Sequence, residues 1–147
     1  MSSTYTGLHF HLVFATKGRQ RFIKSDWRLR LYEYIGGIVR GLGGTASAIG
    51  GVEDHVHVLA SIKPIHRLAD ILRDLKKATS VWSAQQFEPR FAWQEGYSAF
   101  SVSPTHLDAV RGYIDRQEEH HRQIDFKEEL RQLLERNRVE YDPKYLP

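Results

Sequence analysis

Two strand-forming runs, residues 45–50 (TASAIG) and 55–62 (HVHVLASI), are separated only by a turn-forming stretch ending Gly50-Gly51-Val52-Glu53-Asp54. A connection that short folds back on itself, because a parallel crossover needs a dozen or more residues. The chain is therefore committed to an antiparallel hairpin. On either side of the hairpin the periodicity changes to that of a helix. Residues 26–42 place Trp27, Leu31, Tyr34, Ile35, Ile38 and Leu42 at helical spacing, with Ser25 as a cap and Gly41, Gly43 and Gly44 as a stop. Residues 66–87 place Leu68, Ile71, Leu72, Leu75 and Val81 on one side of a second helix.

The remaining elements complete a pattern. Residues 5–16 (YTGLHFHLVFAT) are aromatic and β-branched and read as a strand with apolar residues on both faces, a candidate sheet edge that could pair across a two-fold axis. FAWQEGYSAFSVS, residues 91–103, reads as a bent strand or strand pair around Gly96. Ser103-Pro104 opens a helix predicted to reach His121, with Ser as cap and Pro at the first helical position. A last helix starts at Asp125, where Asp125 and Glu128 have capping-box spacing and Phe126, Leu130, Leu133 and Leu134 form an apolar stripe. The order β-α-β-β-α-β-α-α predicts an α+β, ferredoxin-like fold. Its mostly antiparallel sheet has helices on one face, and further C-terminal helices follow. No repeat, low-complexity tract or linker divides the chain, so residues 1–147 are expected to form one domain.

Composition narrows the chemistry. Hydrophobic residues make up 41% and charged residues 27%, which suits a packed core rather than a disordered tail. There is no cysteine, so disulfides, zinc-thiolate sites and thiol nucleophiles are excluded. No apolar run approaches the roughly 18 residues of a membrane span, and MSSTYTGLHF has no leader-like basic start. A cytoplasmic protein without membrane contact is the expectation. Basic residues cluster early: Lys17, Arg19, Arg21, Lys24, Arg28 and Arg30 face one acid, Asp26. Such a patch can follow a phosphate backbone, or can be a solvated loop and helix start.

Two constellations could carry chemistry. His55 and His57 are two apart on a strand, so both imidazoles leave the same face and could grip one metal ion. His9 and His11 form a rival pair on the opening strand. Tyr113 and Gln117 are four apart on a predicted helix and share a face. A tyrosine hydroxyl can attack phosphorus and form a covalent intermediate, and a metal could assist it. On spacing alone, a structural His pair and a half-buried Tyr with a solvated Gln explain the same residues.

Nearly the whole chain resembles the IS200/IS605-type transposases, the Y1 tyrosine transposases of the HUH superfamily. The resemblance is carried by HLVFATKGRQRFI, GVEDHVHVLASI, LADILRDLKKATS, FAWQEGYSAFSVS and VRGYIDRQEEHH in that order. It implies that His55 and His57 are the HUH histidines, Gln117 the third metal ligand and Tyr113 the nucleophile. It implies Mg2+ or Mn2+ as cofactor, with imidazole favouring the softer ion, and no nucleotide cofactor. The expected activity is cutting and rejoining single-stranded DNA at hairpin-marked ends through a 5′-phosphotyrosine. The expected assembly is a homodimer in which the tyrosine helix can serve the neighbour's metal site. A domesticated hairpin nuclease would share this chemistry. A non-catalytic nucleic-acid-binding module would not need all four residues, and a water-using hydrolase would form no adduct.

The DNA surface is expected to include Lys17, Arg19 and Arg21 with Lys76 and Lys77, while Trp93 and Tyr97 could stack on unpaired bases. Phe100 could also stack, although core packing suits it better. Gly112 precedes Tyr113 and either loosens that helix or fills a tight contact.

Overall fold

A computed structural model describes residues 3–147, so the first two residues of the stretch read for a leader lie outside it. Four strands, β1 (Leu8–Ala15), β2 (Thr45–Val52), β3 (His55–Ile62) and β4 (Ser98–Ser101), form one sheet in the order β2-β3-β1-β4. Every neighbouring pair is antiparallel. Helices α1 (Arg28–Gly41) and α2 (Leu68–Gln86) complete the β-α-β-β-α-β order of a ferredoxin-like fold. Among the described residues no helix is long and apolar enough to cross a membrane.

The sheet is covered on both sides, which explains why β1 is apolar on both faces. Leu12 and Phe14 join Val56, Val58 and Ala60 under Leu31, Ile35 and Val39 of α1 and Ile71, Leu72 and Leu75 of α2. Val13 and Ala15 point the other way. There they meet Phe126, Leu130, Leu133 and Leu134 of a C-terminal helix, α5 (Phe126–Arg136). The same face takes α3 (Leu107–Asp115), whose Ile114 packs on Ala48 and Leu59. β1 is thus a central strand flanked by β3 and β4, not the edge expected from its sequence. The tyrosine helix α3 lies against its own sheet.

Several boundaries differ from their expected positions for local reasons. The strand β2 continues through Gly50 and Gly51 to Val52, pairing Gly50 with His57 and Val52 with His55. A Cβ on Gly50 would come within 2.3 Å of the Ile114 carbonyl oxygen, so glycine is what lets α3 settle on the sheet. α1 starts at Arg28 without a side-chain cap from Ser25, and the Lys24 carbonyl accepts the Trp27 and Arg28 amides instead. Ser103 likewise caps no backbone amide, and its hydroxyl bonds Thr105 and His106 side chains. The helix expected to run to His121 breaks at Arg116 (φ −101°, ψ 21°) and resumes as the single turn α4 (Gln117–His120). Asp125 does cap α5, accepting the Glu128 amide at 2.9 Å.

Candidate active site

The register places His55 opposite Ala15 and His57 opposite Val13, so both rings emerge on the face roofed by α3, α4 and α5. Both are fully buried. Tyr113 from α3 and Gln117 from α4 reach the same place: the Tyr113 and His57 ring centroids are 5.7 Å apart, and the Gln117 Oε1 lies 3.1 Å from His55 Nε2. All four residues singled out in the sequence converge. The helix break at Arg116 keeps the two side chains together although they no longer share one continuous helix.

At the centre stands a residue that sequence reading passed over. Glu129 on α5 is fully buried, and its Oε1 lies 3.0 Å from His55 Nε2, 3.1 Å from His57 Nε2 and 2.9 Å from His121 Nε2. Its Oε2 accepts hydrogen bonds from the Tyr113 hydroxyl and from the Gln117 amide nitrogen, the latter at 2.8 Å. A signal for it exists: position 129 falls on the apolar stripe of Phe126, Leu130 and Leu133, where an acid must be partnered. His121 is the second of two adjacent histidines that had no assigned role.

An outer layer fixes the rings. His55 Nδ1 is 2.7 Å from the Asp54 carboxylate, His57 Nδ1 is 2.7 Å from His11 Nε2, and His121 Nδ1 is 2.9 Å from the Ile124 carbonyl oxygen. Of the rival pair, then, His11 backs His57 and His9 bonds the Ser61 hydroxyl. With every Nδ1 engaged outward, the three Nε2 atoms point inward. Metal-binding imidazoles are held in this way, and the ligand atoms of His55, His57, His121 and Glu129 all lie within 4.8 Å of one another. That donor set fits a divalent ion.

Charge is concentrated here. Burial would lower the His55 pKa, but hydrogen bonds to Asp54 and Glu129 outweigh it and carry it up to about 9. Burial dominates for its neighbours: His57 falls to about 4 and His11 to about 3. Burial opposes ionisation of Glu129 as well, yet the bonds from His121, His55 and His57 hold it far below the usual carboxylate range. Burial and the adjacent Glu129 charge push the Tyr113 phenol well above its ordinary value. An added cation would offset both effects on Tyr113.

Tyr113 also lines a cleft of about 710 Å³ together with His11, Phe100, Val110, Arg116 and Arg136. The buried ring cluster therefore meets an open, partly basic surface at the tyrosine. A Cβ on Gly112 would meet only the end of the Arg116 side chain, at 3.0 Å, so no tight backbone contact demands this glycine.

The residues expected to touch DNA differ in exposure. Lys17, Arg21 and Lys77 are exposed, Arg19 is half-buried, and Tyr97 is 43% exposed. Lys76 instead ties down the segment before β4, donating to the Gln94 and Gly96 carbonyls at 2.7 and 2.6 Å. Trp93 is a core residue rather than a stacking surface: it is buried, its indole donates to Thr79 Oγ1 at 2.9 Å, and its ring meets Phe14 edge-on. Phe100 is buried too. Within the basic run, Arg28 is buried and spans Ile23 O, Glu53 and Glu118.

Two solved structures share the fold. A provisionally assigned transposase from Deinococcus radiodurans R1 is 24% identical, with a TM-score of 0.65 over 80% of this chain and 95% of that one. A REP-associated tyrosine transposase bound to a REP hairpin is 14% identical, with a TM-score of 0.62 over 82% of this chain and 74% of that one. Comparison with curated protein sequences gave no match. The model of the IS200-like transposases matches residues 4–117, the span holding both strand histidines, Tyr113 and Gln117. The chain belongs to the IS200-like transposase family.

Proposed function

We propose that this transposase cuts and rejoins single-stranded DNA at hairpin-marked ends, using Tyr113 as nucleophile and a divalent ion, Mg2+ or Mn2+, held by His55, His57 and Gln117. The observation that carries the reading is the position of the Tyr113 hydroxyl. It donates to Glu129 Oε2, whose carboxylate partner oxygen touches the inward-facing imidazoles, and the Tyr113 side chain lines a cleft with Arg116 and Arg136. A phosphate in that cleft would lie among the guanidinium groups of Arg116 and Arg136 and the side chain of Tyr113. Hairpin DNA is favoured by the fold shared with a transposase bound to a REP hairpin.

The chemistry follows from these positions. The phenol oxygen attacks phosphorus, and the bond to the departing 3′-oxygen breaks. The phenol proton, already directed at Glu129 Oε2, leaves the attacking oxygen, and one proton is delivered to the departing 3′-oxygen, which becomes the 3′-hydroxyl of the released strand. The new phosphotyrosine retains the energy of the bond, so a second 3′-hydroxyl can reverse the step without ATP. When bound, the ion would polarise the phosphate and draw off charge as the phenolate develops. Arg116 and Arg136 would orient the phosphate, with Lys17, Arg19, Arg21 and Lys77 as backbone contacts and Tyr97 as a stacking surface.

The test uses end-labelled DNA carrying an imperfect palindrome. Cleavage of the single-stranded hairpin with Mn2+ or Mg2+ is expected, with none of the same sequence as a perfect duplex and none in excess EDTA. Equal cleavage of duplex and hairpin, or undiminished cleavage in EDTA, would contradict the reading.

A further inference from the structure

We propose that Glu129 and His121 are direct metal ligands, so that the site is a three-histidine, one-carboxylate centre preferring Mn2+ or a similar transition ion to Mg2+. This rests on the metal role proposed above for His55 and His57. It adds two residues from α5 and the segment before it, outside the family-matched residues 4–117.

The first support is distance. Bonds of about 2.1 Å meeting at right angles, as in an octahedral shell, place adjacent ligand atoms about 3 Å apart. The Glu129 Oε1 lies 3.0, 3.1 and 2.9 Å from the three inward Nε2 atoms. One carboxylate oxygen is therefore adjacent to all three rings, as it would be in a single coordination shell.

The second support is orientation. The Nδ1 of His121 faces the Ile124 carbonyl oxygen, that of His55 the Asp54 carboxylate and that of His57 the His11 ring, so each ring is held with its Nε2 toward Glu129 Oε1. Imidazoles anchored through the second nitrogen in this way are the arrangement in which histidines hold a metal.

Glu129 Oε2 remains free for Tyr113 and Gln117. Coordination through Oε1 would thus hold the phenol beside the ion through one carboxylate. Gln117 would position that carboxylate through its amide nitrogen, and its Oε1, near His55, could still join the shell. Three imidazoles select against Mg2+, which prefers oxygen ligands and retains water.

The experiment is calorimetric titration of the metal-free full chain, without DNA, using MnCl2 and separately MgCl2. Each parent chain is expected to bind one Mn2+, more tightly than Mg2+. Glu129→Gln and His121→Ala are each expected to weaken Mn2+ binding by at least the roughly 10–100-fold that loss of an outer-layer partner costs. The exposed Gln123→Ala should match the parent. If both ligand variants bind Mn2+ like the parent while His57→Ala does not, the proposal is overturned and the two-histidine site stands. If the parent binds neither ion, the metal role falls with it.

Should Glu129→Gln fail to fold, the Co2+-loaded parent gives the answer by NMR. Three exchangeable ring N–H signals and a carboxylate side-chain CH2 pair, all hyperfine-shifted, are expected. Two ring signals without the CH2 pair would overturn the assignment.

Discussion

His57 and His11 keep their rings neutral at a cost that depends on pH. Burial depresses their folded values to about 4 and about 3, against about 6.5 in an unfolded chain. The unfolded chain takes up protons first, so the stability present above pH 6.5 is lost as pH falls toward 4. His55 acts in the opposite sense. Its folded value is raised to about 9, so its contribution is full below pH 6.5 and lost as pH rises through 9. Thermal melts of the protein in EDTA should therefore give a maximum near pH 6.5–7 with a decline on both sides. A melting temperature that rises steadily from pH 5 to pH 9 would contradict these assignments. At this scale the sequence exposed His55 and His57, because a two-residue period on a strand is a strong geometric constraint. Glu129 was hidden because α5 approaches the histidines only through tertiary packing. The internal contacts of Trp93 and Lys76 are not legible in the sequence, because aromatic and cationic side chains have structural as well as DNA-facing uses and only the fold separates these.

Between elements, the decisive contact is α3 on β2. The Ile114 carbonyl approaches so closely that a Cβ on Gly50 would stand 2.3 Å from it. Gly50→Ala should push α3 outward, destabilise the protein by about 1–3 kcal/mol as overpacking commonly does, and move Tyr113 from the histidines. A lower melting temperature together with at least tenfold slower cleavage is expected. Unchanged melting and cleavage would show that α3 need not sit there. The Gly50-Gly51 pair looked like a turn because glycine marks turns more often than close approaches. Its alternative meaning, room for another backbone, depends on a helix more than sixty residues away. The break at Arg116 was equally invisible, since no proline or glycine marks it.

At the scale of the molecule, the β-α-β-β-α-β core was legible because hairpin length and helix period leave few topologies. The placement of the C-terminal helices was not, since an apolar stripe does not say which face it covers. That placement matters for assembly. Each chain brings Tyr113 to its own His57, with a ring-centroid separation of 5.7 Å, so one copy holds a full set of the proposed groups. Mixing a His55→Ala/His57→Ala chain with a Tyr113→Phe chain should therefore restore no cleavage, even in verified mixed dimers. Restored activity would show that the tyrosine serves a partner, as the family resemblance first suggested. The central claim, covalent catalysis by Tyr113, is tested most directly by incubating the protein with single-stranded hairpin DNA and Mn2+, digesting it, and sequencing the DNA-linked peptide by mass spectrometry. The account predicts one nucleotide-bearing peptide, modified at Tyr113 through a 5′-phosphate and absent from Tyr113→Phe. Cleavage with no covalent peptide, or a modification on another tyrosine, would contradict it.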